Sequence, residues 1–290
     1  MFNNQYQEII TSYCFKHIMN NIMSVDLEDY FCDVPFSSWN NYSSRVVQTT
    51  EVLLDLFTKY NVTATFFTLG YIADQFPELI EKIVSLGHEI ASHSYSHRDL
   101  RQISADVLED ELKRSTESLE KITNEKIKGF RAPFFSISKN NLEYFNIIKK
   151  YFKYDSSIFP VKTPLYGIPD ASRFQYTFSS DTPLESNSDG ELLEIPPATL
   201  RIPLYGNLPI AGGFYFRFLP NWLIKYGLNK LNKSGQSAMC YIHPKDLDEN
   251  MPRVESYSWH YYYGLKNAKS KFESLLKNFK FCSVREQYSF

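Results

Sequence analysis

No apolar stretch in the 290 residues is long enough to cross a bilayer, which as a helix takes about 20 consecutive apolar residues. The chain also lacks a basic start followed by an apolar run, since Ile9-Ile10 is broken at once by Thr11-Ser12. A soluble, cytoplasmic protein is therefore expected. Runs of one charge sign are missing too. The 31 basic and 33 acidic residues leave a formal net charge of −2, which gives no footing for nucleic acid or an anionic membrane. Cys14, Cys32, Cys240 and Cys282 are scattered, with no Cys-x-x-Cys. Neither a disulfide framework nor a zinc ribbon is expected. Cys240 and Cys282 fall in apolar, strand-like runs and read as buried thiols, as suits a reducing compartment. Histidine is scarce, six in all, and two of the six stand in His93-Ser94-Tyr95-Ser96-His97.

What is present is a regular alternation. The chain is long enough to bury a sizeable core, and a single α/β barrel could use nearly all of it. Residues 1–20 read as an appendage and 21–290 as the domain. Strands are expected at 22–27, 63–69, 88–92, 127–130, 153–156, 238–242 and 281–284. Helices are expected over 45–60, from Pro77 to Leu86, from the cap Ser104 to Ile122, from the cap Ser138 to Tyr151, over 219–231 and over 265–278. Such alternation predicts a parallel sheet, barrel-like or open. Between 159 and 218 it breaks. Pro160, Pro164, Pro169, Pro183, Pro196, Pro197, Pro203 and Pro209 argue against helix there. A long decorated loop region is expected instead, with short strands near 192–195 and 213–216, and loops of that length are usually functional. The 23 Phe, 21 Tyr and 3 Trp fill cores more often than they bind sugars, though Tyr-rich surfaces suit sugars.

The reactive residues fall in one kind of place. Asp26, Glu28 and Asp29 end the first strand, His93 and His97 follow the third, Arg131 follows the fourth, Asp155 ends the fifth and His243 ends the strand at 238–242. All lie at carboxyl ends of strands, the face of α/β sheets and barrels that carries active sites. Two histidines four apart share one face of a helical turn and can reach one divalent metal. A carboxylate added to them makes a three-ligand site with room for water. A second carboxylate can serve as general base, and a separate histidine can protonate a leaving group. The set composes a hydrolase.

Those residues resemble carbohydrate esterase family 4, the NodB-homology polysaccharide deacetylases. Asp26-Leu27-Glu28-Asp29 looks like the family's first motif, His93-Ser94-Tyr95-Ser96-His97 matches its His-Ser-x-x-His zinc motif, and Arg131-Ala132-Pro133 looks like the third. Asp155-Ser156-Ser157 looks like the fourth motif and Ile242-His243-Pro244 the fifth. All five stand in family order. A narrower group, encoded beside exopolysaccharide and exosortase loci, is similar at Ser24 to Phe31, at Gly212-Gly213-Phe214-Tyr215-Phe216-Arg217 and from His260 to Glu286. The resemblance implies a distorted (β/α)7 barrel, a single domain with the proline-rich region inserted before its last units. It implies a metal-dependent hydrolase of carbon–nitrogen bonds, with zinc as the expected ion, that removes acetyl groups from N-acetylated sugars of a polysaccharide or its precursor. Asp26 then resembles the general base, Arg131 the arginine that holds it, His243 the acid, and Asp155 the partner that tunes that acid. His93 and His97 resemble metal ligands. Leu27 stands between carboxylates that are adjacent in the family's common form, so Glu28 and Asp29 compete for the third ligand. Glu28 is preferred, because it shares a strand face with Asp26. Two rival readings are an amide or cyclic-amide hydrolase on the same fold and a non-catalytic glycan-binding protein.

Overall fold

The computed structural model describes residues 20–290, so nearly all of the expected appendage, Cys14 included, lies outside the described residues. Numbered along the chain, the strands are β1 (Asn20–Leu27), β2 (Thr65–Thr68), β3 (Glu89–Ser92), β4 (Gly129–Phe130), β5 (Tyr154–Asp155), β6 (Tyr176–Phe178), β7 (Leu192–Glu194), β8 (Thr199–Ile202), β9 (Gly206–Pro209), β10 (Met239–Ile242) and β11 (Lys280–Cys282). Their main sheet runs β10-β1-β2-β3-β4-β5-β7-β6, with β11 pairing alongside the start of β1. Every pairing from β10 to β7 is parallel, and only the edge strand β6 is antiparallel. The sheet curls into a half-barrel, consistent with the distorted (β/α)7 fold. Between β7 and β10 only isolated bridges stand, at Pro197–Met239 and Gly212–Tyr241.

Strand alternation sorts the side chains into two sets. Met23, Val25 and Leu27 of β1 join the large core under the helices. Ile22 faces inward with Phe67, Ala91, Tyr154, Ile195 and Met239, which fill the barrel's middle. Tyr154 reaches that place by crossing β4, where a Cβ on Gly129 would lie 2.0 Å from its ring. Two residues further along β1 the inward positions turn polar, at Ser24 and Asp26. The apolar plug thus floors a polar layer at the strands' carboxyl ends.

Most expected elements stand close to their expected places, and four differ. Residues 213–216 are not a strand but the start of a helix, Gly213–Phe218. Gly212 lies so close to β10 that a Cβ there would meet the Tyr241 carbonyl oxygen at 1.8 Å, and Gly213, at φ +54°, turns the chain away. Ser138 does not cap a helix. Its N–H and hydroxyl bind the Asn141 side chain, and the helix begins only at Phe145. The last strand is Lys280–Cys282, and Ser283 then caps a short helix, Val284–Tyr288. The proline-rich region holds more order than expected, namely β6 and the β8–β9 hairpin. Its prolines sit at strand ends and turns, where a missing N–H costs little. Cys32, Cys240 and Cys282 are buried free thiols. No helix among the described residues is long and apolar enough to cross a membrane.

Candidate active site

Asp26, on the last inward turn of β1, and Arg131, just after β4, form a buried ion pair at 2.5 Å. The guanidinium is fully enclosed. It also donates to the Ser24 hydroxyl at 3.0 Å and the Ser156 hydroxyl at 2.9 Å, and it lies 4.1 Å from the Phe67 ring centroid. Such a pair leaves Asp26 one fixed geometry, and removing either partner would strand a buried charge.

β1 ends at Leu27 with a tight turn in which Glu28 N–H donates to Asp26 O at 3.1 Å. After it the two next carboxylates part. Asp29 turns outward and caps the helix Val46–Tyr60, accepting from the N–H groups of Arg45 and Val46 at 3.0 and 3.2 Å and from the Ser44 hydroxyl. Asp29, held open above as a metal ligand, is therefore spent on the helix N-terminus. Glu28 turns inward. Its Oε1 meets the Lys245 ammonium at 2.7 Å and its Oε2 lies 2.7 Å from His97 Nε2.

Glu28, His93 and His97 bring one ligand atom each within 4.8 Å of one another, all buried. The histidines do not reach this geometry on a helical turn, as their spacing suggested. They stand in a loop bent by Ser94 and His97, at φ 65° and 55°. His93 Nδ1 contacts the Arg131 carbonyl at 2.7 Å and His97 Nδ1 the Cys32 carbonyl at 3.1 Å. A carbonyl only accepts, so both Nδ1 atoms carry the proton and both Nε2 lone pairs face the carboxylate. Glu28 Oε2 is buried with no donor in hydrogen-bond geometry. Two imidazole lone pairs converging on an unsatisfied carboxylate oxygen fit a divalent cation, and the carbonyl contacts are the outer support that metal-bound histidines use. Burial holds the His93 imidazole neutral, down to about 4. Burial would lift the Glu28 carboxyl, but the Lys245 ammonium, joined by His97 whenever no ion is bound and that ring is protonated, outweighs it and holds it well below the usual range.

Beside these carboxylates stands His243. Its Nε2 is 3.7 Å from Asp26 Oδ2 and 3.6 Å from Glu28 Oε1. Its expected partner was Asp155. That expectation fails, because Nδ1 bonds Asp246 Oδ2 at 2.8 Å. Pro244 opens a helical turn after His243, and the third residue of that turn reaches back to the His243 N–H and ring together. Burial opposes charge on this imidazole, yet the Asp246 carboxylate raises its pKa above the ordinary value. Arg217 in turn holds Asp246, with Nε to Oδ1 at 2.8 Å. Lys245, Asp246 and Arg217 were not singled out from sequence. The one usable signal was the His243-Pro244-x-Asp246 spacing. Asp26, Glu28, both histidines and His243 line an open cavity of about 1040 Å³.

Residues 35–149 match the polysaccharide deacetylase family. The Helicobacter pylori peptidoglycan deacetylase is 34% identical over 150 residues, covering 50% of this chain and 50% of its own. The Bacillus cereus peptidoglycan-N-acetylglucosamine deacetylase is 34% identical over 95 residues, 33% of this chain and 34% of its own. The chain thus spans half the length of the first relative and about a third of the second. A solved Mycobacterium smegmatis structure, assigned to the polysaccharide deacetylases, superposes with a TM-score of 0.57 at 19% identity, covering 93% of this chain and 89% of that one; this likeness shows the fold. Residues 156–289 match a second family, described only as a domain of unknown function, DUF3473. His93, His97 and Arg131 fall in the first match and His243 in the second, while Asp26 and Glu28 precede both.

Asp155 has another neighbour. It accepts from the Ser157 N–H and hydroxyl, both at 2.8 Å, and across the β5–β7 pairing it stands next to Glu194, whose Oε1 accepts from Ile158 N–H at 3.0 Å. Burial drives both carboxyls up, Asp155 to about 6 and Glu194 well above its usual range. A folded-state pKa raised above the unfolded one contributes stability below the unfolded pKa and loses it as pH rises through the folded one. The stability margin of wild type over Glu194→Gln should therefore shrink as pH rises from 5 through 6 to 8. Taking the difference cancels the buried neutral His88 and His93, which act in the opposite sense. Thermal unfolding of both proteins across that range checks this, and a margin independent of pH would refute it.

Proposed function

We propose that this protein is a metal-dependent deacetylase of N-acetylated glycans, with zinc as the first-choice ion. The observation that carries the reading is the placement of Asp26 and His243, 3.7 Å apart, beside the Glu28–His93–His97 triad in the lining of one open cavity. Glu28, His93 and His97 would hold the ion, which when bound lowers the pKa of water and polarises the acetamide carbonyl oxygen. Asp26, fixed by Arg131, takes the proton of the attacking water. His243, oriented through Nδ1 by Asp246, gives its Nε2 proton to the departing amine. Acetate and a free amino sugar result. Lys245 occupies Glu28 Oε1 and leaves Oε2 to the metal side. A non-catalytic glycan-binding protein has no need of a base, an acid and a metal triad together. The likeness at Gly212–Arg217 and from His260 to Glu286 points to an exopolysaccharide or its precursor as the natural substrate.

Acetate release from N-acetylated oligosaccharides tests the reading. Release should stop when the protein is stripped with a chelator and return with zinc or another first-row divalent ion. A metal-replete protein that frees no acetate from any acetylated glycan would overturn it.

A further inference from the structure

The cavity is much larger than one acetamido sugar needs, and its outer wall is aromatic. Trp259 lines it and is 63% exposed, an unusual state for the largest side chain. Beside it lie Phe214, at 5.8 Å and 80°, and Tyr263, at 5.8 Å and 87°. Phe218 stacks on Phe214 at 5.2 Å and 22°, and is 49% exposed. Phe214 and Trp259 line the cavity, Tyr263 and Phe218 pack against them from outside it, and the residues of the site described above do not include these rings.

The aromatic wall is held rigidly. Arg217 Nη1 donates to the carbonyls of His260 and Tyr261, at 3.2 and 3.1 Å, and to that of Tyr263. Behind it, Tyr257 stacks on Tyr261 at 3.9 Å, and the Tyr257 hydroxyl accepts from the Asp33 N–H at 3.2 Å. An exposed tryptophan on a loop pinned at four points is a preorganised contact surface, because little side-chain or loop freedom is left to lose on binding. The rim facing it is different: Asp99, Arg101 and Gln102 line the same cavity. A ligand spanning that opening needs one apolar face and polar edges. A pyranose ring has both, its C–H face suiting an indole and its hydroxyls suiting carboxylate, guanidinium and amide.

We propose that Trp259, backed by Phe214 and Tyr263, is a sugar-stacking subsite that binds the pyranose adjoining the one being deacetylated, so that the enzyme prefers an oligosaccharide to a monosaccharide. The inference rests on the reading of the cavity floor as a deacetylase site. It adds the chemical class of what lies beyond that floor, a glycan chain several sugars long.

The test compares wild type, Trp259→Ala and Trp259→Phe on N-acetylglucosamine oligomers of increasing length, with kcat/KM from acetate release. Wild type should gain in kcat/KM with chain length. Trp259→Ala should lose about ten-fold of that gain, the worth of one well-packed aromatic anchor, with the loss in KM rather than kcat, and Trp259→Phe should keep most of it. A second arm measures binding of the same oligomers by calorimetry and by quenching of indole fluorescence. If wild type binds the longer oligomers through Trp259 but frees no acetate, the subsite stands and the deacetylase reading falls. If acetate is freed and Trp259→Ala keeps the full gain with length, the subsite is refuted and the reading stands. Failure of wild type both to bind and to cleave refutes both.

Discussion

Glu28→Gln, His93→Ala and His97→Ala should each lose the bound divalent ion and nearly all acetate release. The three ligand atoms are one per residue, and no fourth protein ligand lies within reach among the described residues. An open catalytic site with three protein ligands cannot spare one, and even loss of an outer support typically weakens binding 10–100-fold by order of magnitude. Asp29→Ala is the contrast. Its carboxylate serves the helix Val46–Tyr60, so the variant should keep its metal and lose roughly 1–3 kcal/mol of stability, since the Arg45 and Val46 N–H groups and the Ser44 hydroxyl lose a buried acceptor. Metal content by mass spectrometry and thermal unfolding separate the two classes. Metal kept by Glu28→Gln and lost by Asp29→Ala would show the chain turning the other way after Leu27.

Nearly as large an effect is expected from the proton-transfer pair. His243→Ala should lower kcat by on the order of 10²–10⁴, the range of a positioned general acid, with metal retained. Asp26→Asn should abolish turnover and also keep the metal, because Asp26 faces Arg131 and His243 rather than the histidine triad. Asp246→Asn should reduce kcat with little change in KM, since it removes the acceptor that orients the His243 ring. Asp155→Asn has no contact with that ring and should act through the buried pair with Glu194 instead. Metal content measured beside kcat and KM decides it. If Asp155→Asn mimics His243→Ala while Asp246→Asn leaves kcat intact, the acid is oriented as its family motif suggested and not as the hydrogen bonds indicate.

That exchange of partners marks the boundary of what the sequence made legible. Asp26, His93, His97, Arg131 and His243 could be placed on one face because each sits at the carboxyl end of a strand, and strand ends follow from apolar runs. Alternation along β1 favoured Glu28 over Asp29, yet the strand stops at Leu27 and it is the tight turn after it that brings Glu28 toward the histidines and Asp29 to the helix. Asp246 was missed because its role depends on a single helical turn after Pro244, too short to give a periodic signal. Arg217 and Trp259 were missed as site residues because they act across 29 and 45 positions, on Asp246 and on Phe214. The histidine pair was chosen for a helical spacing that it does not have. A left-handed bend brings the rings together, and left-handed residues leave little trace in composition.

The pairing of β1 with β10 has a consequence for how the molecule comes into being. The Ser24 hydroxyl bonds the Cys240 carbonyl across 216 residues, and the acid histidine follows directly after. During synthesis, at roughly 5–20 residues per second, β1 would wait on the order of 10–40 s for that neighbour. Until then its open edge is a template for any passing strand. Asp26, Arg131, Glu28, His93 and His97 would already have emerged, but without His243 beside them. A chain cut short before residue 243 is thus expected to be inert, and competence arrives late, with one long-range strand pairing that local order cannot hasten.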